Sequence, residues 1–166
     1  MNTREVAIKY FDIVDGPDIA TAQSLNVLPE VSIDQGKMTI QDLYKAANRD
    51  ARGNLHLVYG KKTVHKVEIT WGLLTRNEWG KLLAFIKSRV DTGQCSFYCK
   101  VFMPDFADEK TGEGELRIIE MYAGDRSAVP YLVNPGDPTQ PLDADVNKTA
   151  GMPTYWKNCQ CNFIEI

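Results

Sequence analysis

The sequence has no apolar run of the ~20 residues that a membrane-spanning helix needs, so it offers no candidate transmembrane segment. It also lacks an excess of either charge: 19 basic side chains face 22 acidic ones, for a net charge of −3. That balance excludes the basic footprint of a protein that grips DNA or an anionic membrane. DNA passing close by without being held is compatible with it. The N-terminal stretch contains no signal-peptide core, because Lys9 and Asp12 interrupt the apolar positions, and the expectation is a chain made and folded in a cytoplasm. Catalytic signatures are missing too. There is no G-x-S-x-G elbow, phosphate-binding Walker loop, H-E-x-x-H pair or dinucleotide fingerprint. Histidine is scarce, with only His56 and His65 available as a base for any serine nucleophile.

Cysteine is present in small number: Cys95, Cys99, Cys159 and Cys161. The C-x3-C and C-x-C spacings are not the paired C-x2-C of a zinc knuckle. Both pairs fall in strand-like stretches, where even separations share a face but lie too far apart along the strand to bond. A bridge between the two strands requires them to be neighbours. Buried free thiols are the preferred reading, since free cysteine packs as a small hydrophobe. No metal and no cofactor is expected.

What is there suits one globular domain. The 166 residues are 43% hydrophobic and 25% charged. A chain of this length buries roughly two thirds of its unfolded surface, enough for a core without staples. The clearest local signal is "LLTRNEWGKLLAFIKSRVDTG". Thr75 followed by Glu78 is a capping box, and Trp79, Leu82, Leu83, Ile86 and Val90 make one apolar stripe. This predicts an amphipathic helix over about 76–90, with Trp71, Trp79, Leu83, Ile86 and Trp156 in the core. Elsewhere strands dominate, and the expected class is α+β, mainly antiparallel β.

The other elements read as follows. Residues 1–28 fit both strand and helix periods, and are expected to form an N-terminal arm that packs on something else. Residues 29–166 form the domain proper, with short strands near 28–33 and 37–44. "RGNLHLVYGKKTVHKVEITWG" predicts a hairpin turning at Gly60-Lys61, which sets His56 opposite His65 as a half-exposed cross-strand pair. Strands follow at 95–103 and 116–123. The acidic residues Asp105, Asp108, Glu109, Glu113 and Glu115 lack calcium-loop spacing and read as a solvated loop. The Pro-rich stretch 134–153 reads as a long loop without regular structure. The last strand places Cys159, Cys161 and Phe163 on one face, and Trp156, Ile164 and Ile166 on the other.

One polar cluster invites a catalytic reading: Gly124, Asp125, Arg126 and Ser127, at the end of a strand. A structural corner is preferred. Gly124 supplies an unusual backbone angle, Asp125 bonds amides in an Asx-type turn, and Arg126 pairs with a carboxylate or carbonyl. The competing class is a small β-rich binding module, for carbohydrate or host recognition, using exposed tyrosine and tryptophan of the 122–156 region.

The ordered set "ITWGLLTRNEWGKLL", "FYCKVFMPD", "YAGDRSAVPY" and "YWKNCQCNFIEI" resembles a family of tail-associated proteins of long-tailed bacteriophages and prophages, over about residues 30–166. More loosely, hairpin, helix and antiparallel strands in this order are similar to the fold of tail-tube, minor-tail and distal-tail proteins. That resemblance implies a β-sandwich or split barrel flanked by one helix, and subunits joined in rings, commonly hexamers, around a channel for DNA. It implies a non-enzymatic structural subunit of the virion tail, assembled in the host bacterial cytoplasm, whose partners are its own copies and neighbouring tail proteins. The hairpin at Gly60 and Lys61 and the loops holding Asp108, Glu109, Pro135 and Asp143 become the candidate contacts between subunits. Residues 1–28 and the length of the 134–153 loop depart from the family pattern.

Overall fold

The computed structural model describes residues 10–31 and 35–166; over 43–48 and 56–62 only the strand pairing is described. Eight elements follow in order: β1 (Phe11–Val14), β2 (Gly36–Arg49), β3 (Leu55–Thr75), α1 (Arg76–Asp91), β4 (Phe97–Val101), β5 (Arg117–Val133), α2 (Asp145–Lys148) and β6 (Pro153–Glu165). The strands make one antiparallel sheet in the order β1-β4-β5-β6-β3-β2. The α+β, mainly antiparallel class is therefore what the chain adopts, as a six-stranded sheet curled into a half-barrel with α1 at its flank.

The curl is visible in the core. Phe11 on β1 and Phe163 on β6 are three strand spacings apart, which on a flat sheet is about 14 Å. Their rings are 4.9 Å apart, and Phe97 of β4 meets Phe163 at 6.0 Å. Alternation supplies the inner face: Val67, Ile69 and Trp71 from β3, Phe97, Cys99 and Val101 from β4, and Cys159, Cys161 and Phe163 from β6 are all buried. Trp156 packs against this core as well, although its sequence parity assigns it to the other face. The chain rotates at Asn158, whose φ of 52° breaks the alternation.

Helix α1 closes one side. Thr75 accepts from the Glu78 amide, and the Glu78 carboxylate accepts from the Thr75 amide, each at 3.2 Å. Trp79, Leu82 and Ile86 are buried, at i, i+3 and i+7. Leu83 is half-buried against the core, and Val90, expected on the stripe, is 53% exposed. Thr75→Ala should lower stability by about 1 kcal/mol, measured as a shift in denaturant midpoint at constant slope.

Three expectations are corrected. Over residues 10–28 the N-terminal segment does not stand off as an arm: Phe11 to Val14 pair with Val101 to Tyr98 and are buried, and Leu28 joins the same core. β1 and β2 occupy opposite sheet edges, so the chain between them crosses the core side, where the Glu30 carbonyl accepts from Trp71 Nε1 at 3.0 Å. The β2–β3 hairpin does not turn at Gly60-Lys61. It turns at 50–54, where Asp50 Oδ1 accepts from the amides of Arg52 and Asn54 and Gly53 adopts φ 83°. Asp-x-x-Gly chemistry outcompetes Gly-Lys because the aspartate satisfies the turn's own amides. Gly60 and Lys61 instead fall between the pairs Tyr44↔Tyr59 and Leu43↔Lys62, as an irregularity within a continuous strand; their side chains lie outside the described residues. Lastly, 134–152 is organised. Asn147 Nδ2 donates to the carbonyls of Asp137, Gln140 and Pro141, its Oδ1 accepts from the Asp137 amide, and α2 adds one helical turn.

Candidate functional site

Gly124, Asp125, Arg126 and Ser127 lie within β5 and do not end it. Ala123 pairs with Phe163 and Arg126 with Cys161, so β5 carries one more residue than β6 between the two rungs. This is a β-bulge, which bends the strand. Gly124 is not required for its φ. A Cβ there would stand 3.1 Å from Ile164 Cδ1 and 3.4 Å from Asn162 Cβ, so the glycine admits close approach of β6. Asp125, Arg126 and Ser127 are exposed, and among the described residues Asp125 makes no Asx-type bond. Ser127 pairs with Gln160, while His65 lies beyond the Lys66↔Ile164 rung, four residues further along β6. At ~3.3 Å per residue that is about 13 Å along the strand, so the geometry assembles no serine–histidine pair.

The buried thiols are also quiet. Cys99, Cys159 and Cys161 are buried and unbridged, and Cys95 is exposed and unbridged. Burial pushes Cys159 up to about 11 and Cys161 up to about 12. Burial, then the charge of Asp12 and the neighbouring Cys161, hold Cys99 well above the ordinary thiol range. Protonated thiols are neither nucleophiles nor metal ligands. Among the described residues no group of three or more His, Cys, Asp or Glu is arranged to hold a metal.

The loop residues expected at subunit contacts are mostly turn formers. Asp108 Oδ1 accepts from the amides of Lys110 and Thr111, which hold its carboxyl below the usual aspartate range. Glu109, Pro135 and Asp143 are exposed. Pro135, Asn134, Thr149 and Tyr155 line an open depression beside Arg76 and Asn77 at the start of α1.

A concentrated, buried polar site forms at His65, which the expected pairing with His56 misplaces. In the observed register His65 faces Ile40 and His56 faces Asn48. His65 is 7% exposed. Its Nδ1 lies 2.6 Å from Glu165 Oε2 and its Nε2 2.7 Å from Asp105 Oδ2. The same Glu165 oxygen accepts the His65 amide at 3.0 Å, and the Phe106 ring meets the imidazole edge-on at 4.9 Å. Burial disfavours the charged ring, but the hydrogen bonds to Asp105 and Glu165, then their charges, outweigh it and raise the pKa above 6.5. A signal for the burial was in the sequence: His65 continues the period-two series Val67, Ile69, Trp71 onto the core side.

No family model, no curated protein and no solved structure matches this chain.

Proposed function

We propose that this chain is a non-enzymatic structural subunit of a bacteriophage tail, in the tube or the distal ring, and that it joins copies of itself around a channel. DNA passes through that channel without being bound specifically. The observation that carries the reading is the β2–β3 ribbon. β3 pairs with β6 only from Lys66 onward, yet β2 and β3 remain paired with each other as far as Arg49↔Leu55. From Leu55 to His65 this is roughly 35 Å of two-stranded ribbon with both outer edges open among the described pairings. An isolated two-stranded ribbon is marginal, and its open edges offer backbone donors and acceptors for sheet extension by another chain. The resemblance of the ordered motifs to tail-associated proteins favours the same reading. The mild net acidity suits a wall that lets DNA slide.

Two measurements test it. Mass spectrometry of purified particles from the host carrying the gene should find the chain in mature tails; its absence from them removes the virion role. Sedimentation and negative-stain microscopy of the full chain should show concentration-dependent rings. A variant with 44–60 replaced by a short turn should stay monomeric while still unfolding cooperatively. Self-association unaffected by that deletion would discard the ribbon as the contact.

A second reading, a carbohydrate-binding module, draws on the outer face of the sheet. There Tyr131 is 42% exposed, Lys157 Nζ lies 5.5 Å from its ring, and Leu73 and Val129 flank it. Glycan binding by a strictly monomeric chain favours this reading over the tail.

A further inference from the structure

We propose that Glu165, His65 and Asp105 form a pH-operated clasp that ties the root of the β2–β3 ribbon to the connection between β4 and β5. The position is specific. Lys66↔Ile164 is the last rung that β3 shares with β6, so His65 is the first residue of the ribbon proper. Its two ring partners come from separate elements, Glu165 at the end of β6 and Asp105 just after β4. The clasp exists within a single chain and does not depend on the assembly reading.

The chemistry follows from counting protons. A neutral imidazole has one N–H and one lone pair; only the imidazolium donates from both nitrogens. With a carboxylate oxygen 2.6 Å from Nδ1 and another 2.7 Å from Nε2, both contacts are satisfied only when the ring is charged. The two sides are unequal. Glu165 Oε2 is held twice, by the ring and by the His65 amide, and its side chain is 19% exposed. Asp105 is held by the ring and is 36% exposed. Loss of the proton therefore leaves Nδ1–H on Glu165 and turns the Nε2 lone pair toward the Asp105 carboxylate. Repulsion then releases Asp105, and with it Phe106, from the ribbon root.

Among the described residues no other charge competes at the ring. On β2 the facing residue is Ile40, flanked by Thr39 and Gln41. On β5, Arg117 lies over the Phe106 ring at 4.7 Å, and its Nε is bonded to Glu115 at 2.9 Å. Lys66, next along β3, belongs to the alternate face. The sign is that of a histidine with a raised folded-state pKa. The clasp's stabilisation is complete below the unfolded value of about 6.5 and is lost as pH rises through the folded value.

Histidine NMR on the full chain tests this, with His56→Gln leaving a single imidazole to observe. The ring should titrate with a midpoint above 6.5, with both nitrogens protonated below that midpoint. Asp105→Asn should lower the midpoint. Amide exchange over residues 103–107, corrected for its intrinsic pH dependence, should accelerate about tenfold across the transition in the parent chain and show no such step in Asp105→Asn. A midpoint at or below 6.5 overturns the proposal, as does exchange at 103–107 that ignores the transition.

Discussion

Phe11→Ala is expected to lower the stability of this fold by about 3–5 kcal/mol, the range for deleting a buried phenylalanine. Phe11 is 1% exposed and lies on the outermost strand at one sheet edge. An edge position ordinarily tolerates truncation. Here it does not, because the curl folds that edge inward until Phe11 meets Phe163 on the fourth strand of the sheet. Removing the ring opens a cavity between β1 and β6 that the rigid antiparallel pairs β4–β5 and β5–β6 cannot close by sliding. The measurement is a denaturant melt, with the midpoint moving and the slope unchanged. A loss below about 0.5 kcal/mol, typical of a surface change, would return residues 10–28 to the status of a detachable arm.

That contrast shows where the sequence was legible. Helix α1 could be read because its determinants are local: Thr75 and Glu78 bond each other across three residues, and Trp79, Leu82 and Ile86 follow from the helical period. β1 could not, since its residues match both periods and the choice was made by pairing with β4, almost 90 residues away. The hairpin's turn is placed at Gly60-Lys61 by local chemistry, whereas Asp50 sets it at 50–54 through bonds that only the folded turn displays. Gly124 was read for its backbone freedom, whereas its reason lies on the neighbouring strand, in Ile164 and Asn162. The candidate site was half legible. The alternation of Val67, Ile69 and Trp71 carries a signal for His65 on the core side that the expected half-exposed pair with His56 overlooks, and its partners stand 40 and 100 residues away, where no spacing rule reaches them.

Trp71→Ala should be as damaging, at about 3–5 kcal/mol, and a companion variant divides the loss. Trp71 is 1% exposed and joins three parts of the fold. It extends β3, meets Trp79 of α1 edge-on at 6.2 Å, and donates its indole N–H to the Glu30 carbonyl. Alanine removes the packing and orphans that carbonyl. Phenylalanine keeps most of the ring contact and removes only the donor, so Trp71→Phe should cost about 1–2 kcal/mol, the penalty of one unsatisfied partly buried acceptor plus a small void. Urea melts of the two variants against the parent separate the contributions. Equal losses would assign the whole effect to the hydrogen bond and to the anchoring of the crossing segment. A Trp71→Phe loss near zero would mean that water replaces the indole at Glu30, and that the segment is held by Leu25, Val27 and Leu28 packing on the core. The intermediate result is expected, because the segment pairs with β1 only as far as the Leu25 amide on the Ile13 carbonyl, and over 26–31 no strand pairing follows among the described residues. There the Glu30 carbonyl takes its donor from a side chain, the Trp71 indole.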